Sequence, residues 1–175
     1  AMSKMEKIAI IGAGPAGSLL AIYLAQRGMA VDVYEARGDM RKQKMSAGRS
    51  INMALSNRGI AALRQVGMDK FMLNAAIPMH GRMIHAASGE TKLLPYSGRS
   101  GEYINSISRG GLNAALMDAA ERHPNVAIHF GDAVADMDAE RGVIEFASGK
   151  TAEFQTAIAA DGAGSVVRRS LERSL

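Results

Sequence analysis

The chain of 175 residues contains no cysteine, which excludes disulfides, thiolate metal sites and thiol catalysis and fits a reducing, cytoplasmic setting. Tryptophan is also missing and aromatics make up only 5% of the residues. A formal charge of +4 and a pI near 9.6 would otherwise invite a nucleic-acid reading. The densest basic segment, Arg37 to Arg49, has no interleaved aromatic on which a base could stack, so no nucleic-acid partner is expected. That segment reads instead as a solvated face or as a loop beside one anionic cofactor. No apolar run approaches the length needed to cross a bilayer, and no secretory leader is visible. Ala1 ahead of Met2 reads as a cloning remnant. Patterns of the G-x-S-x-G, H-E-x-x-H and P-loop types are absent, and no pair among His80, His85, His123 and His129 has ligand spacing. Neither covalent hydrolase chemistry nor a metal site is expected.

What is present is a soluble, folded composition, 47% apolar and 22% charged, long enough for one domain with room for a small subdomain. Lys7 to Ile11 is a short apolar run typical of a buried parallel strand. A glycine turn follows, then a helix carrying Leu19, Leu20, Ile22 and Leu24 to a stop at Gly28, then a second strand over Met29 to Tyr34. This is a right-handed βαβ unit. Ser56 caps a helix ending at Gly67, and a second helical stretch covers Met68 to Ala75. Arg82 to Ala86 and Lys92 to Tyr96 read as a hairpin, with another strand near Tyr103 to Ile107. A helix from Arg109 to His123 repeats Leu112, Leu116 and Ala120 at helical spacing. A buried strand at Val126 to Phe130 precedes an antiparallel meander over Val134–Met137, Val143–Phe146 and Glu153–Phe154. A last buried strand leads into Asp161 and Gly162.

Gly12, Gly14 and Gly17 form G-x-G-x-x-G directly after a strand and at the opening of a helix. In that context the first glycine allows the tight turn, the second the close approach of a pyrophosphate, and the third the packing of helix on strand. Glu35, ending the second strand, is placed to accept hydrogen bonds from both hydroxyls of an adenosine ribose and would repel a 2′-phosphate, favouring FAD or NAD over NADP. Asp161 at a later strand end reads as a second cofactor contact once the first motif is accepted. Arg82 cannot shed its proton, so it lies on the surface or faces an anion.

GAGPAG with Glu35, GRSINMALSNRG at 48–59, IPMHGRMIHAASG at 77–89, LPYSG at 94–98, SISRGGLNAAL and ADGAGSVVR resemble the single-component flavoprotein aromatic hydroxylases, and among them the kynurenine-hydroxylating branch. The resemblance runs from about Lys7 to Leu171. It implies an α/β, Rossmann-like FAD-binding fold with a parallel sheet, an antiparallel β-meander crossover and the beginning of a substrate-binding β-sheet. The FAD-binding domain would occupy 1–175, with 78–107 contributing strands to the substrate-binding subdomain. It implies FAD as cofactor, NADPH as co-substrate, and hydroxylation of L-kynurenine by O2 through a flavin C4a-hydroperoxide. Position by position, Gly12, Gly14, Ala16 and Gly17 would cradle the FAD pyrophosphate, Glu35 would hold the ribose and Ala36 would lie beside it. Arg37 and Arg49 would lie near the dinucleotide, Ala54 and Arg109 would reach the cofactor, Val134 would meet the adenine side through its backbone, and Asp161 with Gly162 would approach the phosphates. Arg82 and Tyr96 would grip the substrate carboxylate, His80 stands where relatives often carry arginine, and no catalytic acid or base is named.

Family members are more than twice as long, so the chain reads as an N-terminal fragment, inactive alone and self-associating through the face that the remainder would cover. Two alternatives stay open. One is a hydroxylase of another carboxylated aromatic; the other is a non-enzymatic dinucleotide-binding or interaction module.

Overall fold

The computed structural model describes residues 6–43 and 51–173. In chain order the first elements are β1 (Lys7–Ile11), α1 (Pro15–Ala25), β2 (Ala30–Glu35), β3 (Asn52–Leu55), α2 (Asn57–Gln65) and α3 (Asp69–Ala75). They are followed by β4 (Ile77–Met79), β5 (Gly81–His85), β6 (Thr91–Pro95), β7 (Ile104–Ser108) and α4 (Arg109–Glu121). The last are β8 (Val126–Phe130), β9 (Val134–Asp138), β10 (Val143–Phe146), β11 (Thr151–Glu153), β12 (Thr156–Ala159) and α5 (Val166–Glu172). The chain divides into two compact units, residues 1–46 with 113–175, and residues 47–112.

The first unit is built on a parallel sheet of order β12-β1-β2-β8. Ile8 to Ile11 are all buried, as a run of apolar residues in a central strand requires. The expectation that the strands at Val126 to Phe130 and before Asp161 are buried as well is corrected. Among the described residues β8 and β12 are the sheet edges, and their residues are half-buried or exposed. An apolar run identifies a strand, but centre or edge depends on which distant segments pair with it. Helix α1 starts with Pro15 at its first turn, where the missing N–H costs no intrahelical bond, and it lays Gly17, Ser18, Ala21, Ile22 and Ala25 inward.

Strands β9, β10 and β11 form an antiparallel meander. Its Val134, Met137, Ile144 and Phe146 pack with Ala9, Ile11 and Val167 into one apolar core. Ser170 of α5 ties that helix to β9 through Asp136 and the Met137 backbone. Ile144 is fully enclosed, so Ile144→Ala is expected to lower unfolding free energy by roughly 2–5 kcal/mol, read from urea denaturation. A loss under about 0.5 kcal/mol would mean that this core does not support the unit.

The second unit carries an antiparallel sheet of order β3-β7-β4, the separate hairpin β5-β6, and helices α2 and α3. The Ser56 hydroxyl caps α2 by accepting from Gly59 N at 3.2 Å, as expected. Strands β3 and β4 escape a reading of periodicity. Asn52 to Leu55 is short and largely exposed, and Pro78 argues against a strand except at an edge, which is where β4 lies. In the hairpin, Arg82 pairs with Leu94, and Tyr96 N donates to His80 O. Alternation then puts His80, Arg82, Leu94 and Tyr96 on one face.

Candidate functional site

The chain leaves β1 through Gly12, whose N–H donates to Tyr34 O at 2.8 Å. Its φ is +106°, and a Cβ there would stand 2.5 Å from Ala160 O. A Cβ on Gly17 would lie 2.0 Å from Gly12 O, so the third glycine is what lets α1 sit against the turn. Gly14 differs, since a Cβ there would meet nothing within 4 Å. The first helical bond runs from Ser18 N to Gly14 O, 2.9 Å, which leaves the N–H groups of Ala16 and Gly17 ahead of the intrahelical ladder. No acidic residue occupies the first turn. Open space beside unpaired N–H groups at the positive end of a helix is a cradle for phosphate.

Glu35 ends β2 beside this turn. Its carboxylate accepts from Ala13 N at 3.2 Å, from Arg37 N at 2.9 Å, and from the Arg37 guanidinium at 3.2 and 3.4 Å. Burial alone would push the Glu35 carboxyl up, but the bonds from the Arg37 side chain and from the Arg37 and Ala13 backbone outweigh it and hold the group below its ordinary value. A pocket of about 100 Å³ lies alongside, lined among others by Ala13, Glu35, Arg37, Asn113 and Phe130. A carboxylate and a guanidinium on such a pocket can bind vicinal hydroxyls.

The depressed Glu35 value has a consequence for stability. Its contribution is fully present above the unfolded carboxyl value of 4.5 and is lost as pH falls through the lower folded value. Thermal melts across that acidic range should therefore show a shallower loss for Glu35→Gln than for the native chain. Parallel slopes would remove Glu35 from the account of acid sensitivity.

At the end of β12, Asp161 Oδ2 accepts from Val166 N at 3.0 Å, and Ser165 caps α5 by accepting from Arg168 N at 3.1 Å. Asp161 Oδ1 is buried with no partner among the described residues. A buried carboxylate oxygen left unsatisfied is costly, and a hydroxyl donor from a bound ligand would relieve it. The cradle at Gly14, the polar pocket at Glu35 and the orphaned Asp161 oxygen together fit a ligand carrying phosphates and hydroxyls.

Gly12, Gly14, Ala16, Gly17, Glu35, Ala36, Arg37, Asp161 and Gly162 thus gather in the first unit, around the turns that follow β1, β2 and β12. Val134 lies in the same unit with its side chain in the meander core, which leaves only its backbone for a ligand. Ala54 on β3, Arg109 opening α4, and Arg82 and Tyr96 on or beside the hairpin belong to the second unit. Arg109 N donates to Ile51 O at 3.0 Å. Arg82 has no acidic partner among the described residues, and the His80 ring meets that of Tyr103 at a tilt of 56°, centroids 5.1 Å apart. Arg49 lies outside the described residues. The sequence reading missed Ala13, Met40, Asn113 and Phe130 as pocket residues. Asn113 left one signal, a polar residue next to the apolar stripe of Leu112 and Leu116.

A parallel sheet with a glycine turn at a helix N-terminus and carboxylates at two strand ends defines a dinucleotide-binding α/β domain. The family described as FAD binding domain matches residues 5–175, and the chain belongs to that family. FAD is accordingly the cofactor this domain takes, and the Rossmann-like expectation is borne out. Kynurenine 3-monooxygenase of Myxococcus xanthus is 43% identical over 176 residues, 98% of this chain and 38% of that protein. The enzyme of the same name from Sus scrofa is 44% identical over 168 residues, 94% of this chain and 36% of that protein. The chain thus spans well under half the length of these relatives. Among solved structures, the tetrameric form of 2-methyl-3-hydroxypyridine-5-carboxylic acid oxygenase superposes with a TM-score of 0.76 at 23% identity, covering 97% of this chain and 43% of that one. p-Nitrophenol 4-monooxygenase from Pseudomonas putida gives 0.72 at 20% identity, covering 97% and 44%. Both agree in fold.

Proposed function

We propose that the chain is the FAD-binding portion of an NADPH-dependent monooxygenase that hydroxylates L-kynurenine to 3-hydroxykynurenine with O2. The observation that carries the substrate assignment is the hairpin face on which Arg82 and Tyr96 lie together, with no acid among the described residues paired to the guanidinium. A guanidinium fork binds a carboxylate bidentately, and the Tyr96 hydroxyl donates a further bond, so the pair can hold the amino-acid end of the substrate and orient its ring. Identity of 43% to a kynurenine 3-monooxygenase across nearly the whole chain supports the same reading.

FAD, when bound, supplies the electron transfer and oxygen activation. The chain's own part is binding and orientation. Gly12, Gly14, Ala16 and Gly17 hold the pyrophosphate, Glu35, Ala36 and Arg37 the ribose side, and Asp161 with Gly162 approaches the phosphates, where the unpartnered Asp161 oxygen can accept from a cofactor hydroxyl. Arg49, Ala54 and Arg109 are further contacts carried by the likeness of GRSINMAL and SISRGGL to the family, and the Val134 backbone is one carried by the likeness of the chain as a whole. The strands within 78–107 belong to the substrate-binding sheet in this reading, and a cytoplasmic location goes with it. Exposed Met83 and Leu93 on the hairpin's other face support self-association of the isolated chain, which sedimentation at rising concentration would detect. Among the described residues no helix is long and apolar enough to cross a membrane.

The test is NADPH consumption by the full-length parent protein against a panel of carboxylated aromatics. Stimulation by L-kynurenine with 3-hydroxykynurenine as product supports the proposal. Stimulation by a different aromatic acid would reassign the substrate, and bound FAD without NADPH oxidation under any of them would leave a dinucleotide-binding module.

A further inference from the structure

The segment after β2 contributes Gly38, Met40 and Gln43 to one wall of the pocket beside Glu35. It forms no helix or strand, so its backbone has no ladder to hold it. Arg41, between two of those residues, does not line the pocket but turns back toward the neighbouring helix. Its Nη1 donates to Asp118 Oδ1 and Glu121 Oε2, both at 2.8 Å, and its Nη2 donates to Glu121 Oε1 at 3.1 Å. Within its own segment, Nε and Nη2 donate to the two carboxylate oxygens of Asp39 at 2.9 and 2.8 Å. The guanidinium carbon also stands 5.7 Å from the centre of the Phe130 ring, which lines the same pocket. The Arg41 side chain is only 16% exposed and that of Asp39 8%, so the pair within the segment is largely shielded from water, while the bonds to Asp118 and Glu121 close over it from the exposed side. A second, weaker tie joins the same elements, from Asn113 Nδ2 on α4 to Met40 Sδ at 3.2 Å.

We propose that Arg41 is a positioning residue for the adenosine-ribose end of FAD. By clamping the Arg37–Gln43 segment to α4, it fixes the pocket wall in the geometry that the ribose and the Glu35–Arg37 pair require. This rests on the cofactor assignment. A planar fork of five donors is needed to serve three carboxylates at once, and a lysine ammonium, with its point charge, holds fewer of them. Asp118 and Glu121 are well exposed and return to solvent when the clamp is lost, so the damage stays in the segment rather than spreading through the sheet.

The test combines hydrogen exchange with ADP binding in the full-length protein, comparing Arg41→Gln, Arg41→Lys and the double variant Asp118→Asn/Glu121→Gln. Arg41→Gln should raise exchange in a peptide covering 37–43 by about tenfold while peptides from β1 and β2 keep their protection, and should raise the Kd for ADP by about tenfold or more. The double acid variant should reproduce most of both effects, adding Arg41→Gln to it should change little, and Arg41→Lys should recover part. Unchanged exchange at 37–43, a uniform rise across the sheet, or unaltered ADP affinity would each overturn the positioning role. Native protein that binds no ADP would overturn the cofactor reading together with the proposal, whereas ADP binding indifferent to all the variants would overturn the proposal alone.

Discussion

Melted without flavin, Gly17→Ala is expected to have a thermal midpoint lower by roughly 6–12 °C, whereas Gly14→Ala keeps the native midpoint and weakens FAD binding by at least about tenfold. The two substitutions add the same methyl group three residues apart, and their surroundings decide the outcome. At Gly17 the new Cβ would stand 2.0 Å from the Gly12 carbonyl oxygen, a backbone atom that no rotamer change can move. Helix α1 would have to lift from the turn, and overpacking of this kind costs about 3 kcal/mol or more. Gly14 has φ −68° and ψ −178°, a conformation open to alanine, and its Cβ would project into empty space. In the proposed assignment that space takes the pyrophosphate, so the methyl group excludes the ligand without disturbing the fold. Differential scanning fluorimetry and flavin content of the purified variants read the two effects separately. Gly14→Ala protein that retains native flavin content would show that the pyrophosphate lies elsewhere.

On the proposed function, Arg82→Ala should raise the KM for L-kynurenine by roughly 10- to 100-fold in the full-length protein while FAD content stays at the native level. The range follows from the loss of charge-assisted hydrogen bonds, each about 1.5–3 kcal/mol. Arg82 lies on the exposed hairpin of the second unit, whose strands pair only with one another among the described residues. Its removal therefore opens no cavity and frees no acidic partner. Arg82→Lys keeps the charge but not the fork and should fall between the two. Because the proposed contact would be made before and during the chemical step alike, kcat should change much less than KM. An unaltered KM in Arg82→Ala, or loss of flavin from it, would remove the carboxylate clamp from the account.

The sequence carried the first unit's site better than the second's for a physical reason. Gly12, Gly14, Gly17 and Glu35 act through backbone conformation and strand ends, which a short contiguous stretch already encodes. The Ser56 cap and the β5-β6 hairpin are local in the same sense. Strand β4 was not legible because Pro78 is tolerable only at an edge, and being an edge is decided by β7, more than twenty residues away. The edge positions of β8 and β12 are hidden for the same reason, since sheet order depends on segments far apart in the chain. Asn113 and Arg41 act across 73 and 77 residues to Met40 and Asp118, distances at which spacing along the chain says nothing. The roles of Arg82 and Tyr96 came from likeness to a family, and what the structure adds is their common face.

Whether the turn that follows β1 is an FAD site is tested most directly by an equilibrium titration of the flavin-stripped full-length protein with FAD, followed by ADP competition. Stoichiometric FAD uptake, displaced by ADP but not by FMN, is the predicted result, because the proposal gives the adenosine diphosphate end to the glycine turn, Glu35 and the adjoining pocket. Protein that takes up no FAD, or whose FAD resists ADP and yields to FMN, would contradict it.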